Sequence, residues 1–210
     1  KNLEFTYQWN NEEAKPIKNN GEIEIGKSGE LTLQAYKNGK KYGDQKVEKF
    51  AVHLGFNSNI DYQHIYSLSY PAEGLSSLNN GRLGSLDFKD GQWQGFSGKN
   101  LEVIISLDSL TSINKVSMNF YQYINSWIVA PSYISIMSSK DSLNWEIIKS
   151  VDSIGEIRKR GKFISSISFD SLETDAKYLK IFAKNYGKLP YWHEAAGAES
   201  WLFIDEIIVE

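Results

Sequence analysis

Apolar residues in this chain recur at every second position, and no stretch keeps the three-to-four spacing of a helix face. The alternation runs through "ELTLQAY" (30–36), "LEVIISL" (101–107), "INKVSMNFYQY" (113–123), "SYISIMSS" (132–139), "KFISSISF" (162–169), "AKYLKIFAKN" (176–185) and "SWLFIDEIIVE" (200–210). A period of two places successive side chains on opposite faces of a strand, so each segment buries one face and wets the other. With no twelve-residue window that joins a helical stripe to start and stop signals, there are no helices to cover those faces. The sheets must cover each other. The fold class is all-β: a jelly-roll β-sandwich preceded by a small antiparallel β-domain.

The smaller domain is placed at 1–52. It reads as "GEIEIG" and "ELTLQAY" around a "GKSGE" turn, then "VEKFAVHL" after the polar tract "KNGKKYGDQ". The larger domain is placed at 53–210, where strands lengthen after the turn-rich "GFNSNIDYQ" and "SYPAEGLSSLNNGRLGS". At 210 residues and 41% hydrophobic, the chain has apolar material for a real core.

Net charge is −3, which argues against a phosphate-backbone partner, and nucleic acid is not expected. The basic run "RKR" at 158–160 reads as a solvated hairpin tip. There is no cysteine, hence no disulfide, thiolate metal site or thiol nucleophile. No stretch approaches the length of an apolar membrane span. The first residue is Lys1 rather than Met, so the chain reads as a mature product or an excised fragment.

Catalytic signatures are missing as well. There is no Gly-x-Ser-x-Gly, His-Glu-x-x-His or phosphate loop. The one suggestive acidic pair, Asp205–Glu206, lies inside the last strand segment, where neighbours point to opposite faces. A structural role is expected for Glu206, and no catalytic residue is assigned.

Four spaced pieces resemble one family. "LNNGRLGSLDFKDGQWQGF", "LEVIISLDSLTSINKVSMNF", "WIVAPSYISIMSSKDSLNWEII" and "AKYLKIFAKNYGKLPYWHEAAGAESWLFIDEIIVE" look like successive parts of discoidin-like domains. These are also called coagulation factor V/VIII type C domains and include the family 32 carbohydrate-binding modules. The resemblance covers about 54–210. The ending is similar to modules appended to bacterial family 20 β-N-acetylhexosaminidases. The first region resembles the small β-domain that follows their barrel, although Tyr7-Gln8-Trp9-Asn10-Asn11 stand where "Y-T-x-D-G-S" is usual.

The resemblance implies a non-catalytic carbohydrate-binding module with its site at loops of one end. The implied partners are a glycan with a terminal galactose or N-acetylhexosamine, and the catalytic domain of a parent glycoside hydrolase. The implied setting is secreted, periplasmic or cell-surface, in bacteria. The implied ligand contacts are Asn185, Gln94 and a ring, Tyr191 or Trp192, with His193 beside it and Trp127 as a second platform. An equally open reading folds Trp192 back as a lid on the core. One structural calcium ion is also implied, held by Leu78 and Gly84 through backbone oxygens and by Asn80, Ser85 and Glu206. Asn80 replaces the usual Asp, and "NNG" at 79–81 also makes a turn without a metal. The alternative function is an accessory domain that buttresses a catalytic barrel and binds no ligand.

Overall fold

The computed structural model describes residues 3–152 and 155–210. In chain order the strands are β1 (Leu3–Trp9), β2 (Lys15–Ile17), β3 (Gly29–Lys37), β4 (Lys40–Phe50), β5 (Asn59–Tyr62), β6 (Arg82–Leu83), β7 (Gln94–Ser97) and β8 (Leu101–Ile113). Then follow β9 (Val116–Gln122), β10 (Tyr133–Ser139), β11 (Glu146–Asp152), β12 (Phe163–Phe169), β13 (Thr174–Lys184) and β14 (Trp201–Val209). The helical pieces among the described residues are two 3-10 turns, Gly74–Asn79 and Ile124–Ser126. The all-β expectation holds.

The chain forms two compact units. The first takes the described residues up to Val52 together with Gly81–Leu83. Its single antiparallel sheet has the order β2-β1-β3-β4-β6. Two details differ from the sequence expectation. "GEIEIG" joins no ladder, while the polar "KNGKKYGDQ" tract supplies most of β4. Its Asn38-Gly39 pair, both at positive φ, closes the β3–β4 hairpin, and that turn sets the register that the weak apolar pattern does not.

The second unit is His53–Asn80 with Gly84–Glu210. It is a sandwich of two antiparallel sheets, β11-β10-β13-β8-β5 and β12-β9-β14-β7. The inner faces follow the alternation. Leu101, Val103 and Ile105 of β8 meet Leu179, Ile181 and Ala183 of β13. Across the interface lie Val116, Met118 and Phe120 of β9 and Leu202, Ile204, Ile207 and Val209 of β14. The inward set on β14 changes phase because its ladder with β9 slips between Ile204 and Ile207. Asp205 and Glu206 occupy that bulge and are both fully buried.

β14 is buried on both faces. The outer face of its sheet is covered by the excursion before β7, where Tyr70, Phe88 and Trp93 pack on Tyr121 and Phe203. Trp93 sits edge-on to Tyr121 with ring centroids 5.1 Å apart, and its indole N–H donates to the Ser85 carbonyl at 2.9 Å.

Candidate functional site

β9 ends at Gln122, β12 begins at Phe163 opposite it, and β14 begins at Trp201. Three connections therefore meet at one end of the second unit: 123–130, 155–162 and 185–200. Main-chain bonds lock the first to the last strand. Trp201 N–H donates to the Trp127 carbonyl at 2.8 Å, and Val129 N–H donates to the Trp201 carbonyl at 2.9 Å. Ile124, Val129 and Leu189 make a small apolar cluster beneath, with Ile157 and Trp192 packed on it.

The polar residues expected to meet a ligand are spent inside. Asn185 is buried; its Oδ1 accepts from Gly187 N–H (2.8 Å) and Ser200 Oγ–H (2.6 Å), and its Nδ2 donates to the Phe96 and Ser200 carbonyls. Gln94 is fully buried, accepting from the Tyr62 hydroxyl at 2.9 Å and donating to the Gly74 carbonyl at 2.8 Å. His193 Nδ1 accepts from Ala195 N–H at 3.0 Å, so its Nε2 carries the proton and donates to the Ile124 carbonyl at 3.0 Å. Asn185 and Gln94 tie loops to strands and His193 ties one loop to another, and none presents a free polar atom to solvent.

The rings divide differently. Trp192 is half-buried against the cluster, and the Arg158 guanidinium carbon lies 5.3 Å from its ring centroid. Tyr191 is 86% exposed and Trp127 is 38% exposed. Trp127 also holds a left-handed backbone, φ 64° and ψ 13°, capping the turn Ile124–Ser126 with its N–H on the Ile124 carbonyl. A bulky residue adopts that conformation only where its surroundings impose it.

Next to Trp127 the structure holds a hollow that the sequence did not reveal. Its volume is about 250 Å³. Tyr70, Phe88, Trp201 and Phe203 line it, and Lys89 and Ser126 stand at its rim. The rings brace one another edge-to-face, with Tyr70 and Trp201 centroids 5.3 Å apart. Phe88 and Lys89 lie in "LDFKD", a turn with no ligand signature. A larger cleft of about 530 Å³ is lined by polar and acidic residues including Asp141, Glu146, Glu173 and Asp175, with no aromatic side chain among them.

The residues expected to hold calcium are partly gathered. The turn bearing Leu78 packs on β14. Gly84 N–H donates to the carboxylate of Asp205, the chain neighbour of Glu206, at 2.9 Å. Asn79, next to Asn80, has a buried side-chain oxygen with no hydrogen-bond partner, the kind of neutral donor a hard cation accepts. Ser85 does not fit the set: it is exposed, and its hydroxyl accepts from Asp87 N–H at 3.1 Å. Asn80 donates to Glu73 at 3.2 Å. Among the described residues no group of three or more His, Asp or Glu is placed to hold a metal ion, so a cation here would rely on amide and carbonyl oxygens plus Glu206.

The Asp205–Glu206 pair is closed to solvent. Burial pushes the Asp205 carboxyl up to about 7, against hydrogen bonds from Gly84 and Asn119. Glu206 Oε1 accepts from His53 Nε2 at 2.9 Å. Both side chains are fully buried, and burial holds the imidazole down at about 4. No substrate reaches this pair.

No family model and no curated protein matches the chain. Solved structures give distant likenesses. The module CpGH89CBM32-4 of Clostridium perfringens, solved with GlcNAc-α-1,4-galactose, is 14% identical over 76% of this chain and 94% of that one, with a TM-score of 0.45. Chitosan-binding module 1 of a chitosanase/glucanase from Paenibacillus sp. IK-5 is 19% identical over 76% and 98%, at 0.46. The C-terminal domain of a chitobiase from Bacteroides fragilis is 14% identical over 72% and 93%, at 0.44.

Proposed function

We propose that the second unit is a non-catalytic carbohydrate-binding module whose ligand lies across the 123–130 and 185–200 loops. The observation that carries this reading is the presence at one end of two open rings, Trp127 and Tyr191, with a ring-lined hollow formed in part by Ser126 and Ile128, the chain neighbours of Trp127. A sugar offers a C–H face to a flat ring and hydroxyls to polar groups. Here Ser126 and Lys89 supply the polar rim. The hollow is below the usual span of ligand pockets, about 300–1,000 Å³, so it takes one sugar ring rather than a chain. Affinity in so shallow a site is modest, and tethering to an enzyme would make it useful. A terminal galactose or N-acetylhexosamine, a parent glycoside hydrolase of the β-hexosaminidase kind, and a secreted or cell-surface bacterial setting complete the proposal.

The test is titration of the purified chain with a saccharide panel, using wild type, Trp127→Ala and Tyr191→Ala. Each substitution should weaken binding about tenfold, equivalent to about 1.4 kcal/mol, with an unchanged melting temperature. Binding that survives both substitutions would place the ligand elsewhere.

The buttress reading has one observation in its favour. Leu68 and Leu75 are 87% and 60% exposed on one loop stretch of the second unit, an apolar surface suited to a catalytic domain. Silence across the panel, together with a complex with a barrel domain that Leu68→Ser abolishes, would favour it.

We further propose a structural calcium ion held by Leu78, Asn80, Gly84 and Glu206, with the Asn79 side-chain oxygen in place of Ser85. Bound there, the ion would neutralise Glu206 and fasten the Gly74–Asn79 turn to β14. Calcium should raise the melting temperature and EDTA should reverse the rise; a melting curve indifferent to both would remove the site.

A further inference from the structure

The basic run at 158–160 is not a free hairpin tip. Gln122 Nε2 donates to the Glu156 carbonyl at 2.7 Å, and Ile157 packs on the apolar cluster beneath the rim. Gly155, at φ +87°, lies so close to β9 and the next loop that a Cβ there would stand 2.9 Å from Gln122 Oε1 and 3.2 Å from Ala130 Cβ. The segment is thus laid against the loops that carry Trp127 and Tyr191.

Its cations are spread over aromatic faces. Arg158 lies over Trp192 at 5.3 Å, Lys159 over Phe163 at 4.1 Å, and Lys162 over Tyr123 at 5.8 Å. A ring orders a cation without neutralising it. Among the described residues, none of Arg158, Lys159, Arg160 and Lys162 has a carboxylate ion-pair partner. The acids on this segment and on the two beside it are Glu156, Glu194 and Glu199. Four cations with no ion-pair partner among the described residues therefore sit on one rim of a chain whose net charge is −3.

We propose that this rim selects acidic saccharides, with a sugar carboxylate or sulfate ester meeting the Arg158–Lys162 segment while the ring stacks at Trp127 or Tyr191. This rests on the reading of that end as a saccharide site. An arginine fork pairs two oxygens of a carboxylate or sulfate at once, while a lysine serves as a point charge. The cation over Trp192 occupies one face of that ring, so Trp192 orders the charge and leaves stacking to the freer rings.

The experiment titrates the full chain with polygalacturonic acid oligomers, chondroitin sulfate oligomers, their desulfated form and a neutral β-galactan, at low and high salt. The variants are Arg160→Gln and Lys162→Gln, singly and together. Both side chains are exposed, and neither is packed in the core. The acidic oligomers should bind more tightly than the galactan, and salt should weaken them selectively. Each substitution should weaken acidic binding about two- to fivefold and the pair about tenfold, with galactan binding unchanged. Loss of binding on desulfation alone identifies the sulfate ester; retention by the uronates identifies the carboxylate. Equal binding of galactan and uronates, unaffected by the variants, would overturn this inference and leave the saccharide site standing. Silence on all four probes, or tighter binding to single-stranded nucleic acid, would overturn both.

Discussion

Replacing Gly84 by alanine should destabilise the second unit by about 3 kcal/mol, and the reason is purely steric. A Cβ at this position would stand 2.3 Å from Trp93 Cε2, 2.4 Å from Nε1 and 2.7 Å from Cζ2. Ordinary contact begins at 3.4 Å, so the indole would have to retreat by about an ångström (3.4 − 2.3 = 1.1). Trp93 is 1% exposed and has nowhere to go. Overpacking of this kind costs about 1–3 kcal/mol. The retreat also strains the indole bond to the Ser85 carbonyl, about 1 kcal/mol, and the edge-on contact with Tyr121, about 0.5–1.5 kcal/mol. Partial relaxation keeps the total towards the lower end of that sum. At about 2–4 °C per kcal/mol for a unit of this size, the melting temperature should fall by about 10 °C. Thermal and urea melts read by tryptophan fluorescence would show it. Gly91→Ala is the matched control: φ is +88°, nothing lies within 4 Å, and only backbone strain of about 1 kcal/mol applies. A Gly84→Ala protein as stable as wild type, or no less stable than Gly91→Ala, would refute the packing argument.

Stability in EDTA should show two opposed pH dependences near β14. Asp205 is raised from 3.8 to about 7, so its contribution is fully present at low pH and is lost as pH rises from 3.8 towards 7, about 4 kcal/mol in all. His53 is lowered from 6.5 to about 4; its Nδ1 accepts from Gly55 and Val209 N–H, and its contribution is lost as pH falls from 6.5 towards 4, about 3 kcal/mol. Asp205→Asn should leave a protein that weakens on acidification, and His53→Gln one that weakens on alkalinisation. Parallel pH–urea profiles for the two variants would contradict this. Asn185→Ala should cost about 2–4 kcal/mol, since it strands the buried Ser200 hydroxyl and the Gly187 N–H, and equal melting of mutant and wild type would show those bonds to be dispensable.

The core of the sandwich was legible because its signal is local. Val116, Met118 and Phe120 alternate in the sequence and point inward in the structure. What escaped was whatever depends on a distant partner. Gln94, Asn185 and His193 have the composition of ligand contacts, and only the carbonyls of Gly74, Phe96 and Ile124 reveal that they are structural. Trp192 and "RKR" looked like separate features until Arg158 was found over the indole. The hollow of Tyr70, Phe88 and Trp201 draws on three segments more than a hundred residues apart at the extremes, so no window contains it. The polar tract gave no strand signal because the Lys40–Val47 part of β4, beyond its two-residue pairing with β6, is exposed and carries no apolar alternation to read.

The two-residue strand Arg82–Leu83 pairs with Phe50 and Lys49 of β4, although some thirty residues of the other unit intervene along the chain. A gene cassette cut after Val52 would therefore deliver the first sheet with a raw margin where Phe50 had been hydrogen-bonded, and would remove a piece of its fabric with the part discarded. Recombination that moves this region should carry the whole stretch as one inheritance, with no clean seam along the sequence between its halves.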